Sequence, residues 1–113
     1  MAFNVRDNQG VCVIDLKGKI TIGSGDVELR ETVKRMIKEG KKKMILNLEK
    51  VSYIDSAGLG EIIRCYTTIS KEGGKIVLLN PSHKVYDLFQ LTKLDQVFTV
   101  FDDENKAIVS FTD

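Results

Sequence analysis

The stretch from residue 44 to 63, MILNLEKVSYIDSAGLGEII, carries an apolar run into a helix-like one through Tyr53-Ile54-Asp55-Ser56-Ala57-Gly58-Leu59-Gly60. MILNL (44–48) has the length and composition of a short buried strand. Beyond it, Leu59, Ile62, Ile63, Tyr66 and Ile69 form one apolar face of a helix over 57–72, stopped at Gly73-Gly74. An acid, a hydroxyl and two glycines therefore stand where a buried strand hands over to a helix. In α/β proteins the carboxyl end of a central strand is where functional groups collect.

Upstream, AFNVR (2–6) and VCVIDLK (11–17) flank the turn-rich Asp7-Asn8-Gln9-Gly10, the pattern of a β-hairpin. Cys12, Ile14 and Leu16 fall on one face of the second run and Val11 and Val13 on the other, which suits a strand inside the sheet. TIGSGD (21–26) interrupts, and Ser24 with Asp26 offers N-terminal chemistry for a helix over 26–39 with the stripe Leu29, Val33, Met36 and Ile37. Its acids lie early and its bases late, as the helix dipole favours. Lys41-Lys42-Lys43 reads as a solvated connection rather than a phosphate-binding patch.

Downstream, KIVLL (75–79) is an uninterrupted apolar strand, and Asn80-Pro81-Ser82 marks a turn into a helix over 83–91 bearing Val85, Leu88 and Phe89. A short strand around VFTVF and a helix around 103–110 close the chain. Strands alternating with helices after a hairpin predict an α/β sandwich: a mixed sheet of four to five strands and about four helices. Right-handed crossovers put the first long helices on one face unless the strand order reverses.

The 113 residues fit one domain, 1–113, large enough to bury a core without staples. Seventeen basic against sixteen acidic residues leave a net charge of +1, which argues against nucleic acid as the main partner. Cys12 and Cys65 lie far apart in apolar patterns, with no CxxC or Cys/His cluster to hold zinc, and read as buried thiols of a reducing compartment. No apolar run approaches a signal h-region or a membrane span, so the expectation is a cytoplasmic protein without cofactor.

For the handover itself, Asp55 or Ser56 can cap the helix, and the glycines can simply permit close packing. Three functional alternatives stand beside that structural one. A nucleophilic serine would need G-x-S-x-G, but Ile54 occupies the first glycine position, and the only histidine, His83, lies in the next strand-to-helix connection. A phosphate-accepting aspartate would need a pair of acids at an early strand end and a later lysine; Asp15 is alone, and IVLLNPS ends without one. A serine phosphorylated by another enzyme needs only access, since a helix N-terminus tolerates added negative charge while a docked partner does not.

These residues resemble a known family. LNLEKVSYIDSAGLGEII is similar to the signature of anti-sigma factor antagonists, the bacterial STAS domains, in which an apolar strand leads through Asp-Ser-x-Gly-Leu-Gly into a helix. VIDLKGKITI, ELRETVKRMIKEG, GGKIVLLN and VYDLFQLTKLDQVFTVF follow in the family's order, so the resemblance covers nearly the whole chain. It implies a STAS fold and a non-catalytic role: the unphosphorylated protein binds an anti-sigma factor that is also a serine kinase, freeing a sigma factor. The kinase phosphorylates Ser56 with ATP, and a PP2C-type phosphatase resets it. Asp55, Ala57, Gly58, Leu59 and Gly60 would surround the acceptor, and Ile22, Gly23 and Ser24 are expected beside it. The family often carries an acid soon after its GKI-like segment, where this chain has Thr21-Ile22-Gly23-Ser24-Gly25. The alternative is a STAS adaptor subunit of a stress-signalling or transporter complex, with Ser56 only a cap.

Overall fold

The computed structural model describes residues 3–112. Five strands, β1 (Asn4–Asn8), β2 (Val11–Ile20), β3 (Lys43–Ile54), β4 (Lys75–Leu79) and β5 (Val100–Phe101), form one sheet in the order β1-β2-β3-β4-β5. The hairpin β1–β2 is antiparallel and every later pair is parallel, so the sheet is mixed as expected. The helices are α1 (Asp26–Lys38), α2 (Ser56–Lys71), α3 (His83–Leu91) and α4 (Glu104–Val109), with a single 3-10 turn at Leu94–Gln96 before β5.

Because the strand order never reverses, successive crossovers lay α1, α2 and α3 on one face. Leu29, Val33 and Met36 of α1, Ile62, Cys65 and Ile69 of α2 and Val85 and Phe89 of α3 share a core with Ile14, Leu16, Leu46 and Leu78 of the sheet. Among the described residues α4 is the one helix on the other face, where Ala107 and Ile108 pack on Val11, Val13, Ile45, Val77 and Leu79 beside Phe111. Strands β2, β3 and β4 are thus apolar on both sides. Both cysteines are buried, and burial pushes the Cys65 thiol up to about 12. Lys41, Lys42 and Lys43 are all exposed.

The first strand is shifted from the expected 2–6, of which residue 2 lies outside the described residues: Asp7 and Asn8 pair with Cys12 and Val11, leaving Gln9-Gly10 as the turn. Two further boundaries that differ from the sequence expectation matter for the site. β2 runs to Ile20 rather than residue 17, and β3 runs to Ile54 rather than residue 48. Between Asp15↔Asn47 and Lys17↔Lys50 the register advances two residues in β2 but three in β3, and between Gly18↔Val51 and Lys19↔Tyr53 it advances one against two. Each shift is a bulge with one extra residue in β3. The core positions Leu48, Val51 and Ile54 consequently recur every third residue, a spacing that hides a strand from an alternation test. Within β3, β4 pairs only with Lys43–Asn47, so in the sheet the rest of β3 is bonded to β2 alone and forms a two-stranded arm whose Leu48, Val51 and Ile54 still pack into the core. The site therefore lies at the tip of this arm; an unreversed sheet has no switch-point crevice to hold it.

Beside α4, Arg6 ties the hairpin to the rest. Its Nε donates to Asp15 at 2.7 Å and its Nη1 and Nη2 donate to Glu104 at 2.7 Å each, while Asn47 donates to Asp15 at 2.8 Å and Asn8 to Glu104 at 2.7 Å. Burial pushes Asp15 up, but the bonds from Arg6, Asn47 and Asn4 together outweigh it and leave its carboxyl lowered; the Arg6 bond likewise lowers Glu104. Depressed folded-state values mean stability present above the unfolded carboxylate range, about 4, and lost as pH falls through the folded values. Arg6→Ala should lower the melting temperature at pH 7, and that deficit should shrink below about pH 4. Thermal unfolding of the two proteins across pH 2–7, followed by circular dichroism, measures it; a deficit independent of pH would remove the carboxylates from the account.

Candidate functional site

At the tip of the arm, β3 ends at Ile54, and Asp55 turns the chain into α2 with extended backbone, φ −96° and ψ −176°. The cap is Asp55 and not Ser56: Oδ1 accepts from the Gly58 N–H at 2.8 Å. Asp55 Oδ2 accepts from the Ile22 N–H at 3.1 Å, thirty-three residues away in sequence. The Gly58 and Ile22 N–H groups, with a smaller contribution from Ala57, hold the carboxyl below its usual range. The Asp55 carbonyl takes the Leu59 N–H at 2.9 Å.

Ile22 belongs to the turn after β2. Thr21 and Ser24 exchange backbone bonds of 2.7 and 2.9 Å, and Gly23 adopts φ 74°, which side chains with a Cβ rarely allow. Ser24 does not cap α1: that position belongs to Gly25, which has no side chain to make a cap bond, and Ser24 is exposed on the turn. The turn leaves Ile22 77% exposed. Strand β2 and the start of α2 meet at Gly58, where an added Cβ would lie far inside contact distance of the Ile20 carbonyl oxygen and 2.7 Å from its carbon.

The residues expected at the site thus separate by depth. Ser56 is exposed as the first residue of α2, beside exposed Ile22, Gly23 and Ser24; Asp55, Ala57 and Gly60 are half-buried. Gly58 is buried against β2, and Leu59 is 8% exposed within the core. Around Gly60 a Cβ would meet nothing within 4 Å. His83 heads α3 with Asp87 as its neighbour at 3.7 Å, and no hydrogen bond joins it to Ser56 among the described residues.

Two features escape a sequence reading. A hollow of about 300 Å³ lies between the end of β3 and α3, lined by Tyr53, Ile54, Lys84, Val85, Leu88 and Leu91; Lys84 Nζ stands 5.5 Å from the Tyr53 ring centre. Leu91 is 83% exposed, yet in the sequence it is only one more apolar residue of a short helix. The second is Glu61, 2% exposed and held by Arg30 at 3.3 Å and Arg64 at 3.1 Å, a carboxylate that links α1 to α2. The i,i+3 spacing of Glu61 and Arg64 signals the local pair; nothing local signals Arg30.

A mixed five-stranded sheet with three helices on one face and α4 on the other is the architecture of a STAS domain. The profile of the STAS domain family matches residues 2–107, and the chain belongs to that family. Its relatives include the anti-sigma-B factor antagonist of Bacillus subtilis (strain 168), 31% identical over 97 residues that cover 86% of this chain and 87% of the relative. A candidate anti-sigma factor antagonist of Thermotoga maritima superposes with a TM-score of 0.88 at 26% identity, covering 96% of this chain and 92% of that one. The anti-sigma factor antagonist SpoIIAA is similar in its unphosphorylated form, with a TM-score of 0.70, 26% identity and coverage of 95% and 94%. The Bacillus protein in its phosphorylated form gives a TM-score of 0.72, 27% identity and coverage of 95% and 96%. Among the described residues no helix is long and apolar enough to cross a membrane.

Proposed function

We propose that this chain is an anti-sigma factor antagonist of the cytoplasm. Unphosphorylated, it binds an anti-sigma factor that is also a serine kinase and so releases a sigma factor. Phosphorylation of Ser56 ends the binding, and a PP2C-type phosphatase restores it. The chain acts as ligand and substrate, with no catalysis of its own.

One observation carries this: Ser56 is exposed, and the cap that would otherwise account for it is supplied by Asp55. In the contact we propose, Ile22, Gly23, Ser24, Ala57 and Gly60 meet the partner directly. Gly58 and Leu59 act from below by seating the first turn of α2, and Asp55 acts through its two hydrogen bonds. Antagonists match along most of the chain at 31% and 26% identity, above the 23% and 18% of transporter proteins that share the fold, which supports this reading over a transporter or stress-complex adaptor.

The test is intact-mass spectrometry after incubation with ATP and the anti-sigma kinase of the same organism. One added phosphate is expected on the natural protein and none on Ser56→Ala. An unmodified natural protein would end the proposal.

A further inference from the structure

Resting on Ser56 as the modified residue, we infer that Asp55 is the positioning residue of the switch: its carboxylate, fixed by the Gly58 and Ile22 N–H groups, sets a like charge at the α2 N-terminus that turns a phosphate on Ser56 away from the helix and toward solvent.

The start of a helix normally offers free N–H groups that attract an anion. Here one of them, that of Gly58, is already engaged by a carboxylate: Asp55 Oδ1 takes it at 2.8 Å, and the Asp55 carbonyl takes the Leu59 N–H at 2.9 Å as the first bond within the helix. The other carboxylate oxygen accepts from Ile22 at 3.1 Å, so rotating it away would release the 21–24 turn as well. A phosphate arriving one residue later meets the fixed negative charge of Asp55 beside it. Solvent is the remaining direction, on the surface where Ile22 stands 77% exposed. Phosphate and apolar anchor then share one face, and the added charge is presented to a partner there.

Other charged groups on the elements at this end are Asp26 and Glu28 in the first turn of α1, Lys19 near the end of β2 and Lys84 in α3. Asp55→Asn isolates the carboxylate from all of these. Asparagine caps a helix as well as aspartate does, and its oxygen can keep the Gly58 bond. Its amide nitrogen would face the Ile22 N–H, donor against donor.

The experiment places phosphoserine at position 56 by genetic-code expansion, so that no kinase is needed, and follows the phosphate by ³¹P NMR titration. A short phosphoserine peptide ionises a second time near about 6. In the native background we expect a value about half a unit or more above the peptide's, and in Asp55→Asn a fall to the peptide's value or below. Exchange of the Ile22 amide should accelerate at least about tenfold in Asp55→Asn, with the Gly58 amide little changed. A native-background value at or below the peptide's, or one that Asp55→Asn does not move, overturns the inference. Asp55→Ser, which caps through one oxygen only, repeats the comparison if the asparagine variant folds poorly. Failure of Ser56 to accept phosphate from a kinase would be a separate result, against the proposed function and not against this geometry.

Discussion

Replacing Gly58 by alanine is expected to destabilise the protein by on the order of 3 kcal/mol, the upper end of what overpacking a close contact costs. The new Cβ would sit inside the Ile20 carbonyl, and the atoms it meets first are backbone rather than the yielding end of a side chain. Relief requires α2 to lift off the end of β2, which would strain the Asp55 bond to Ile22 and open the core around Leu59 and Ile62. For a domain of about this size the melting temperature should fall by roughly 10–20 °C. Gly60 supplies the contrast. Its Cβ would enter open space, so Gly60→Ala should match the natural protein or gain up to about 1 kcal/mol from helix propensity. Thermal unfolding of the pair by circular dichroism decides it, and a Gly58→Ala protein as stable as the natural one would mean that α2 is not seated on β2 as described.

Phosphorylation of Ser56, or Ser56→Asp as its mimic, is expected to weaken binding to the anti-sigma kinase about 100-fold or more. Ser56→Ala should bind as the natural protein does. The expected penalty comes from setting a charge against an interface made to meet a small neutral hydroxyl and a bare glycine at position 60. Folding should scarcely change, because the cap bond belongs to Asp55 and exposed substitutions usually stay within about 0.5 kcal/mol. Isothermal titration calorimetry and thermal unfolding on the three proteins separate the two effects. Unchanged affinity with a large fall in melting temperature would make Ser56 a structural residue after all.

Much of this architecture is written locally. The helix stripes of α1 and α2, the all-apolar KIVLL strand and the Asn80-Pro81-Ser82 turn each appear in the structure close to where their periodicity or turn chemistry puts them, except that Ile63 is exposed and Cys65 takes its place in the core face of α2. The Asp-Ser-x-Gly-Leu-Gly handover is local too, and with it the candidate acceptor. The second half of β3 was not legible, because its two bulges convert an alternation of two into a spacing of three at Leu48, Val51 and Ile54. A bulge exists only relative to a partner strand, and the partner is β2, some thirty residues earlier.

The same distinction runs through the site. Residue order and side-chain chemistry were enough to place an acid and a hydroxyl at the start of α2, since capping needs only neighbours within one turn. Which of the two caps, and which stays exposed, was decided when folding brought the Ile22 N–H to the second oxygen of Asp55. The glycines divide in the same way: alike in sequence, Gly58 is closed by the Ile20 carbonyl and Gly60 is open, because only one faces β2. Local chemistry acts over a few residues along the chain, whereas exposure and the second bond of a carboxylate depend on elements that meet only after the sheet has formed.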